Sequence, residues 1–247
     1  MFRRARAVGS SCYGPPVKIA VVIPALNEAG RIEEAVRSAI PAPAPDRPDA
    51  LEVEVVVVDG GSEDGTAERA AAAGARVLTS PRGRARQLGA GVRASRGDVV
   101  LFLHADTRLP RGYHRAVEEA LGDPRTVGGA FRFRFDRHTP ALRVIEWGAR
   151  LRERLFRLPY GDQAVFVRRA VLEAIGGVPQ VPIMEDLDLV REMKTRGGVA
   201  RLPLPAVTSA RRHLARGPVR TALRHGLAAG AWAMGIDRRR IAAWYGG

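Results

Sequence analysis

The chain has 247 residues and a formal charge of +14, and 38 of its 40 basic residues are arginine. That length bounds one large domain, or one domain with an appendage, with enough chain to bury a sizeable core. A single cysteine, Cys12, excludes a disulfide framework or a cysteine zinc site within one chain, and no apolar run reaches bilayer-spanning length.

Ala, Gly, Pro and Arg are all abundant, so coding bias accounts for much of the arginine. Nucleic acid is therefore not an expected partner. Nucleotide diphosphates or an anionic membrane surface are.

In chain order, residues 1–16 read as a flexible leader that starts basic but lacks a hydrophobic segment of signal-peptide length. KIAVVIP at 18–24 is a buried strand, and Ala25 to Glu28 a loop. Ile32, Ala35, Val36, Ala39 and Ile40 repeat at helical spacing. Residues 41–48 form a proline-rich loop. The run VEVVVV at 53–58 is a second strand, because β-branched residues suit a sheet covered on both faces. It ends in Asp59-Gly60-Gly61-Ser62, where a sharp turn lets a ligand approach the backbone. Residues 66–73 form a short helix and 76–78 a brief strand. A basic loop at 80–87 enters a helix that runs to about residue 94.

DVVLFL at 98–103 is the fourth strand, with His104-Ala105-Asp106 at its carboxyl end. Residues 111–121 are helical. FRFRFD at 131–136 alternates, placing Phe131, Phe133 and Phe135 on one side and Arg132 and Arg134 on the other. A basic amphipathic helix spans 142–158, a strand 164–167, a helix 185–195 and a strand 199–202. From Ser209 onward the chain is Arg-rich and helical. The early βαβ alternation predicts an α/β sandwich whose mostly parallel sheet becomes mixed later. The domain itself is expected over 17–208, with 209–247 as a basic helical appendage.

An open α/β sheet binds ligands just past its strand ends. Asp59 stands there and can accept hydrogen bonds from a base or ribose, or can cap an ordinary turn. No GxGxxG and no Walker A loop is present, which disfavours a dinucleotide fold and phosphate-loop chemistry. Asp106, at a second strand end, reads either as a strand cap or as a hard oxygen ligand for Mg²⁺ or Mn²⁺ on a diphosphate. Arg82 and Arg86 are the favoured phosphate contacts of the basic loop. Glu185 and Asp186 open a helix, and their side chains diverge, so one can reach a substrate while the other anchors. Asp162, beside Gln163, is a second candidate acid. His213 reads mainly as a surface histidine, with metal ligation as its alternative.

Together these residues resemble a family 2 glycosyltransferase of GT-A fold. The matching segments are VVIPALNE at 21–28, VDGGSEDGT at 58–66, GRARQLGAG at 83–91, DVVLFLHADT at 98–107 and MEDLDL at 184–189. LHADTRLP at 103–110, GGAFRF at 128–133, PYGDQAVFVRR at 159–169 and PIMEDLDLVRE at 182–192 are similar to the subgroup called radical-SAM/selenodomain-associated transferase 2. The resemblance spans roughly residues 17–245.

It implies a nucleoside-diphosphate sugar donor, with a UDP-sugar favoured, and Mg²⁺ or Mn²⁺ as cofactor. Pro24, Ala25, Asn27, Glu28, Asp59 and Gly61 would line the nucleoside side, with His104 and Ala105 beside them. Asp106 would match the last acid of the DxD motif and hold the metal. Asp186, with Glu185 as the other member of the pair, would be the base of an inverting transfer, and Asp162 and Gln163 would face the acceptor. His104 stands where the general family carries the first DxD acid, a departure that bears on donor selectivity. Rival readings are a nucleotidyltransferase on a similar crevice and a non-catalytic adaptor for an anionic membrane or partner. The basic amphipathic tail reads first as a segment packed onto its own domain; its alternative is contact with the inner membrane face by a cytoplasmic protein, with a lipidic acceptor.

Overall fold

β-Branched runs build the sheet, and apolar stripes at helical spacing cover it. The computed structural model describes residues 17–42, 52–156 and 158–245; the expected leader, Cys12 and most of the proline-rich loop lie outside them. The elements are β1 (Ile19–Ala25), α1 (Ile32–Ala39), β2 (Val53–Asp59), α2 (Thr66–Ala72), β3 (Arg76–Thr79), α3 (Arg84–Ala94) and β4 (Val99–Phe102). They continue with β5 (Thr107–Arg108), α4 (Tyr113–Leu121), β6 (Thr126–Phe135), α5 (Pro140–Phe156), a 3-10 turn (Gly161–Gln163), β7 (Phe166–Arg168) and α6 (Arg169–Ala174). The last are α7 (Glu185–Arg196), β8 (Gly198–Thr208), α8 (Arg211–Arg216), α9 (Pro218–Ala233) and α10 (Arg238–Tyr245).

The strands form one mixed sheet in the order β3-β2-β1-β4-β7-β6-β8-β5. β1 runs parallel to β2 and β4, and β2 parallel to β3. β7 is antiparallel to both β4 and β6. β8 lies parallel to β6 and antiparallel to β5. This is the α/β sandwich expected from the early alternation and the later hairpins.

Alternate residues of each central strand feed different layers. Ile19, Val21, Ile23, Val55, Val57 and Leu101 pack with Val36 of α1 and Tyr113 and Val117 of α4. Val22, Val56, Val58, Val100 and Phe102 pack with Leu88 and Val92 of α3 and Val190 of α7. Each fully buried aliphatic side chain contributes about 1.5–3 kcal/mol. Gly91 lets α3 lie this close, since a Cβ there would press into Val22 and Val58.

Between β1 and β4 the strand order reverses, because β2 and β3 extend one way and β4 the other. The loops leaving these two strands part there and open a crevice.

β8 differs from the short strand expected at 199–202. It runs to Thr208 despite Pro203 and Pro205, because the register shifts: Phe131 pairs with Leu202 and Arg132 with Pro205. The bulge takes up the prolines, which cannot donate to a regular ladder. The appended helices pack back onto the domain. Ala228, Ala231 and Trp232 of α9 and Ile241 of α10 bury against Leu187 of α7, and Trp232 Nε1 donates to Asp188 Oδ1 at 2.7 Å. Among the described residues, no helix is long and apolar enough to cross a membrane.

Candidate active site

The crevice at the β1/β4 reversal is a cleft of roughly 390 Å³, lined by Pro24, Ala25, Leu26, Glu28, Gly83, Arg84, Gln87, His104, Ala105, Asp106 and Arg212. A larger cavity of about 730 Å³ lies beyond α1 near Leu109–Arg115 and has no acid in its lining. Glu28, Arg84, His104 and Asp106 belong to the smaller cleft.

The loops after β1 and β2 hold each other. Asn27 Oδ1 accepts from Glu63 N (3.1 Å), and Ser62 Oγ accepts from Asn27 N (2.9 Å). Thr66 Oγ1 accepts from Glu28 N at 2.8 Å. Asp59 is buried and spends both carboxylate oxygens on its own turn, accepting from Gly61 N and Ser62 N on Oδ2 and from Ser62 Oγ on Oδ1. Asn27, Asp59 and Gly61 thus brace the cleft from outside its lining. Gln87 reaches where they do not: its Nε2 donates to Ala25 O (2.8 Å) and Val58 O (2.9 Å), tying the ends of β1 and β2 together.

The basic loop differs from the expectation. Arg82 and Arg86 are exposed and outside the lining, and Arg84 is the arginine turned inward. The reason is helical phase. α3 begins at Arg84, and its buried positions Ala85, Leu88 and Val92 face the sheet, which leaves Arg86 on the solvent side. Arg84 Nε lies 2.8 Å from Glu185 Oε1, an ion pair whose N–H is not aligned on the oxygen. Its other end reaches His104, with Nη2 at 2.5 Å from Nε2. Because a guanidinium has no acceptor, the imidazole accepts on Nε2 and is neutral. Burial first, then the Arg84 and Arg212 charges, hold the His104 pKa well below its ordinary value.

Glu185 is the anchored member of its pair, buried and held by Arg84. Asp186 is less buried and accepts from Gly161 N at 2.6 Å and from Leu187 N at 3.0 Å. Met184, just before them, takes a left-handed φ of 66°, as do Asn27 (53°) and Ala164 (48°). Such strained positions cluster where a site fixes backbone direction. Gly161 leaves room for this arrangement, since a Cβ there would displace the Arg84 guanidinium and stand 2.9 Å from Asp186 Oδ2. Asp162 sits alongside, with Oδ1 buried and unpartnered. Burial drives its pKa up to about 6, with the Asp186 and Asp106 charges adding to the rise and Arg152 and Arg84 opposing it. Gln163 turns inward instead, donating to Phe131 O at 3.0 Å.

Burial works against the charge on Arg84, and Glu185, Asp186, Asp162 and Asp106 together outweigh it and raise its pKa. The charges of four acids from three segments therefore act on one guanidinium.

The C-terminal segment closes the other side. Glu28, buried, takes ion pairs from Arg211 and, at 2.7 Å, from Arg212. Sequence reasoning did not single out Leu26, Gly83, Arg84, Gln87 or Arg212. The signal for Arg84 and Gln87 was their three-residue spacing on one face of a helix. His213 stands edge-on to Phe135 (4.8 Å between centroids) and to His225 (5.6 Å), outside the cleft lining but next to Arg212.

Asp106 lines the cleft, and its carboxylate takes no hydrogen bond or ion pair from a described residue. Among the described residues, no three His, Cys, Asp or Glu converge into a ready metal cage. An unpaired carboxylate beside open space fits the way Mg²⁺ or Mn²⁺ is held through one protein carboxylate plus phosphate oxygens and water.

A mixed α/β sandwich with its cleft at the β1/β4 reversal and an acid at the end of β4 has the GT-A architecture. The family model for Glycosyl transferase family 2 matches residues 20–172, and the chain belongs to that family. Glucosyl-3-phosphoglycerate synthase of Mycobacterium tuberculosis is 37% identical over 101 residues, which cover 37% of this chain and 30% of that protein. The match thus spans under a third of the relative's length. A crystal structure of the M. tuberculosis enzyme with Mn²⁺, UDP and glucosyl-3-phosphoglycerate superposes with TM-score 0.59 at 23% identity, over 90% of this chain and 81% of that one. Mannosyl-3-phosphoglycerate synthase from Rubrobacter xylanophilus superposes with TM-score 0.57 at 20% identity, over 89% and 76%. At these identities the structures speak for the fold.

Proposed function

We propose that the chain is an inverting, metal-dependent glycosyltransferase that moves a sugar from a nucleoside-diphosphate sugar, UDP-sugar favoured, to an acceptor hydroxyl. The observation that carries this reading is the unpaired Asp106 carboxylate in the cleft lining, whose charge acts together with that of Asp186 on the Arg84 guanidinium. Family membership and the UDP and Mn²⁺ bound by the M. tuberculosis enzyme support it.

In this reading Pro24, Ala25, Leu26 and Glu28 form the nucleoside side, and Gln87 fixes the strand ends beneath. Asp106 would hold Mg²⁺ or Mn²⁺, with His213, beside Arg212, as the candidate second ligand. A metal there would supply positive charge for the departing diphosphate. Arg84 adds a cation at the same place, and the neutral His104 keeps a second negative charge out of it. Asp186 takes the acceptor's proton as its oxygen bonds to the anomeric carbon, while the bond from that carbon to the diphosphate oxygen breaks. Glu185 holds the helix start, and Asp162 faces the acceptor.

The PYGDQAVFVRR and PIMEDLDLVRE segments support placement in the radical-SAM-associated subgroup. A second reading concerns location, a cytoplasmic enzyme resting on the inner membrane face. The exposed Trp147, Leu151, Leu223 and Leu227 favour it.

A thermal-shift titration with UDP and Mn²⁺ tests the main reading. We expect stabilisation by UDP that needs the metal and is lost in Asp106→Ala, and a product of inverted anomeric configuration by NMR. No metal-dependent shift with any nucleoside diphosphate would sink it.

A further inference from the structure

Beyond the cleft, α8, α9 and α10 enclose a second pocket of roughly 460 Å³, lined by Ala215, Arg216, Arg220, Thr221, Arg224, His225 and Tyr245. Its lining carries three arginines and no acid. The stretch from Ser209 to Ile236, which supplies all of that lining except Tyr245, contains no Asp or Glu. Arg216 and Arg220 take part in no ion pair with a described residue, whereas Arg224 donates to Trp244 O (3.1 Å) and Tyr245 O (2.8 Å). Like charges gathered in a concave site repel one another, and an oxyanion entering it replaces repulsion with charge-assisted hydrogen bonds.

The pocket's position ties it to the cleft. His225 stands 5.6 Å from His213, which follows Arg212 of the cleft lining, and 5.6 Å from Tyr245. The charges of Asp186 and Arg212 act on both His225 and Tyr245, and that of Arg84 acts on Tyr245. His225 and Tyr245 therefore line the basic pocket and lie within electrostatic range of Asp186.

We propose that this pocket binds an oxyanion group, a phosphate or carboxylate, carried by the acceptor whose hydroxyl is presented to Asp186. The inference rests on the glycosyltransferase reading and adds the chemical class of the acceptor: an anionic molecule gripped at one end by Arg216 and Arg220.

The test uses the full chain with its cleft saturated by UDP and Mn²⁺, so that added anion cannot occupy the diphosphate position. Isothermal titration of inorganic phosphate at constant ionic strength is expected to show one site. The double variant Arg216→Gln/Arg220→Gln is expected to bind phosphate at least tenfold more weakly while keeping its UDP affinity. Glycerol 3-phosphate and monomeric dihexanoyl phosphatidate then distinguish the source. Tighter binding of the first assigns a soluble ester, and of the second a lipid headgroup, and either supports the pocket. Phosphate failing to bind the UDP-loaded protein, or binding equally to the double variant, overturns the proposal. Absence of UDP binding would instead overturn the glycosyltransferase reading, so the two failures are separable.

Discussion

At the residue scale, Asp162 is the sharpest case of an environment setting chemistry. Its pKa is about 6 in the fold, raised first by burial, against roughly 3.9 for an unfolded aspartate. Between those values the folded state binds more protons, so this group's contribution falls as pH rises from about 4 to 6, and the cost persists above 6. The difference corresponds to about 3 kcal/mol. His213 has the opposite slope: burial and His225 push it down to about 4, so its contribution is whole above about 6.5 and is lost as pH falls toward 4. The two slopes offset each other in the native protein. Asp162→Asn removes one, and in metal-free buffer it is expected to be more stable than the parent by up to about 3 kcal/mol at pH 8 and equal to it near pH 4. Urea unfolding across that range checks this; a gap that does not change with pH would refute it. The sequence named Asp162 and Asp186 as candidate acids, but not which was paired, because burial and the Gly161 contact arise only when distant segments meet.

At the element scale, α7 carries Asp186 and is pinned from behind by the C-terminal helices. Asp188 accepts from Trp232 Nε1 at 2.7 Å and from Arg238 Nη2 at 2.8 Å, and Leu187 buries against Ala228 and Ile241. The tail thus fixes the helix that presents the proposed base. Trp232→Ala is expected to cost about 3 kcal/mol, the cavity and transfer cost of a largely buried indole. Its α8–α10 segment should also be cut faster in limited proteolysis while the sheet stays protected. Unchanged cleavage would mean that the staple does not hold the tail. The strands were legible because valine runs and the FRFRFD alternation carry their periods openly; β6 buries Phe131, Phe133 and Phe135, as that pattern predicts. β8 was legible only in part, since a bulge that accommodates two prolines is a property of the strand pair. The inward arginine was missed for a similar reason: whether position 82, 84 or 86 faces the cleft depends on where α3 starts.

At the scale of the whole molecule, exposed apolar surface is concentrated on one part of the chain. Val144, Trp147, Leu151 and Leu155 of α5 are exposed, as are Val219, Leu223 and Leu227 of α9, and the two helices pack together. The acids of α5, Glu146 and Glu153, both face inward, so its exposed charges are Arg143, Arg150 and Arg154. α9 has no acid at all. A second copy docking through the same face would bring arginine against arginine, because a two-fold interface pairs a patch with itself. An anionic bilayer complements both features, taking the apolar stripes into its interface and the arginines at its headgroups. The protein is therefore expected to float with phosphatidylglycerol vesicles at low salt and to stay behind with neutral phosphatidylcholine. Raising the salt should weaken recruitment, and Leu223→Ser/Leu227→Ser should reduce it several-fold without altering the UDP response. No recruitment to anionic vesicles under any condition would remove the membrane from this account and leave the basic pocket to a soluble acceptor.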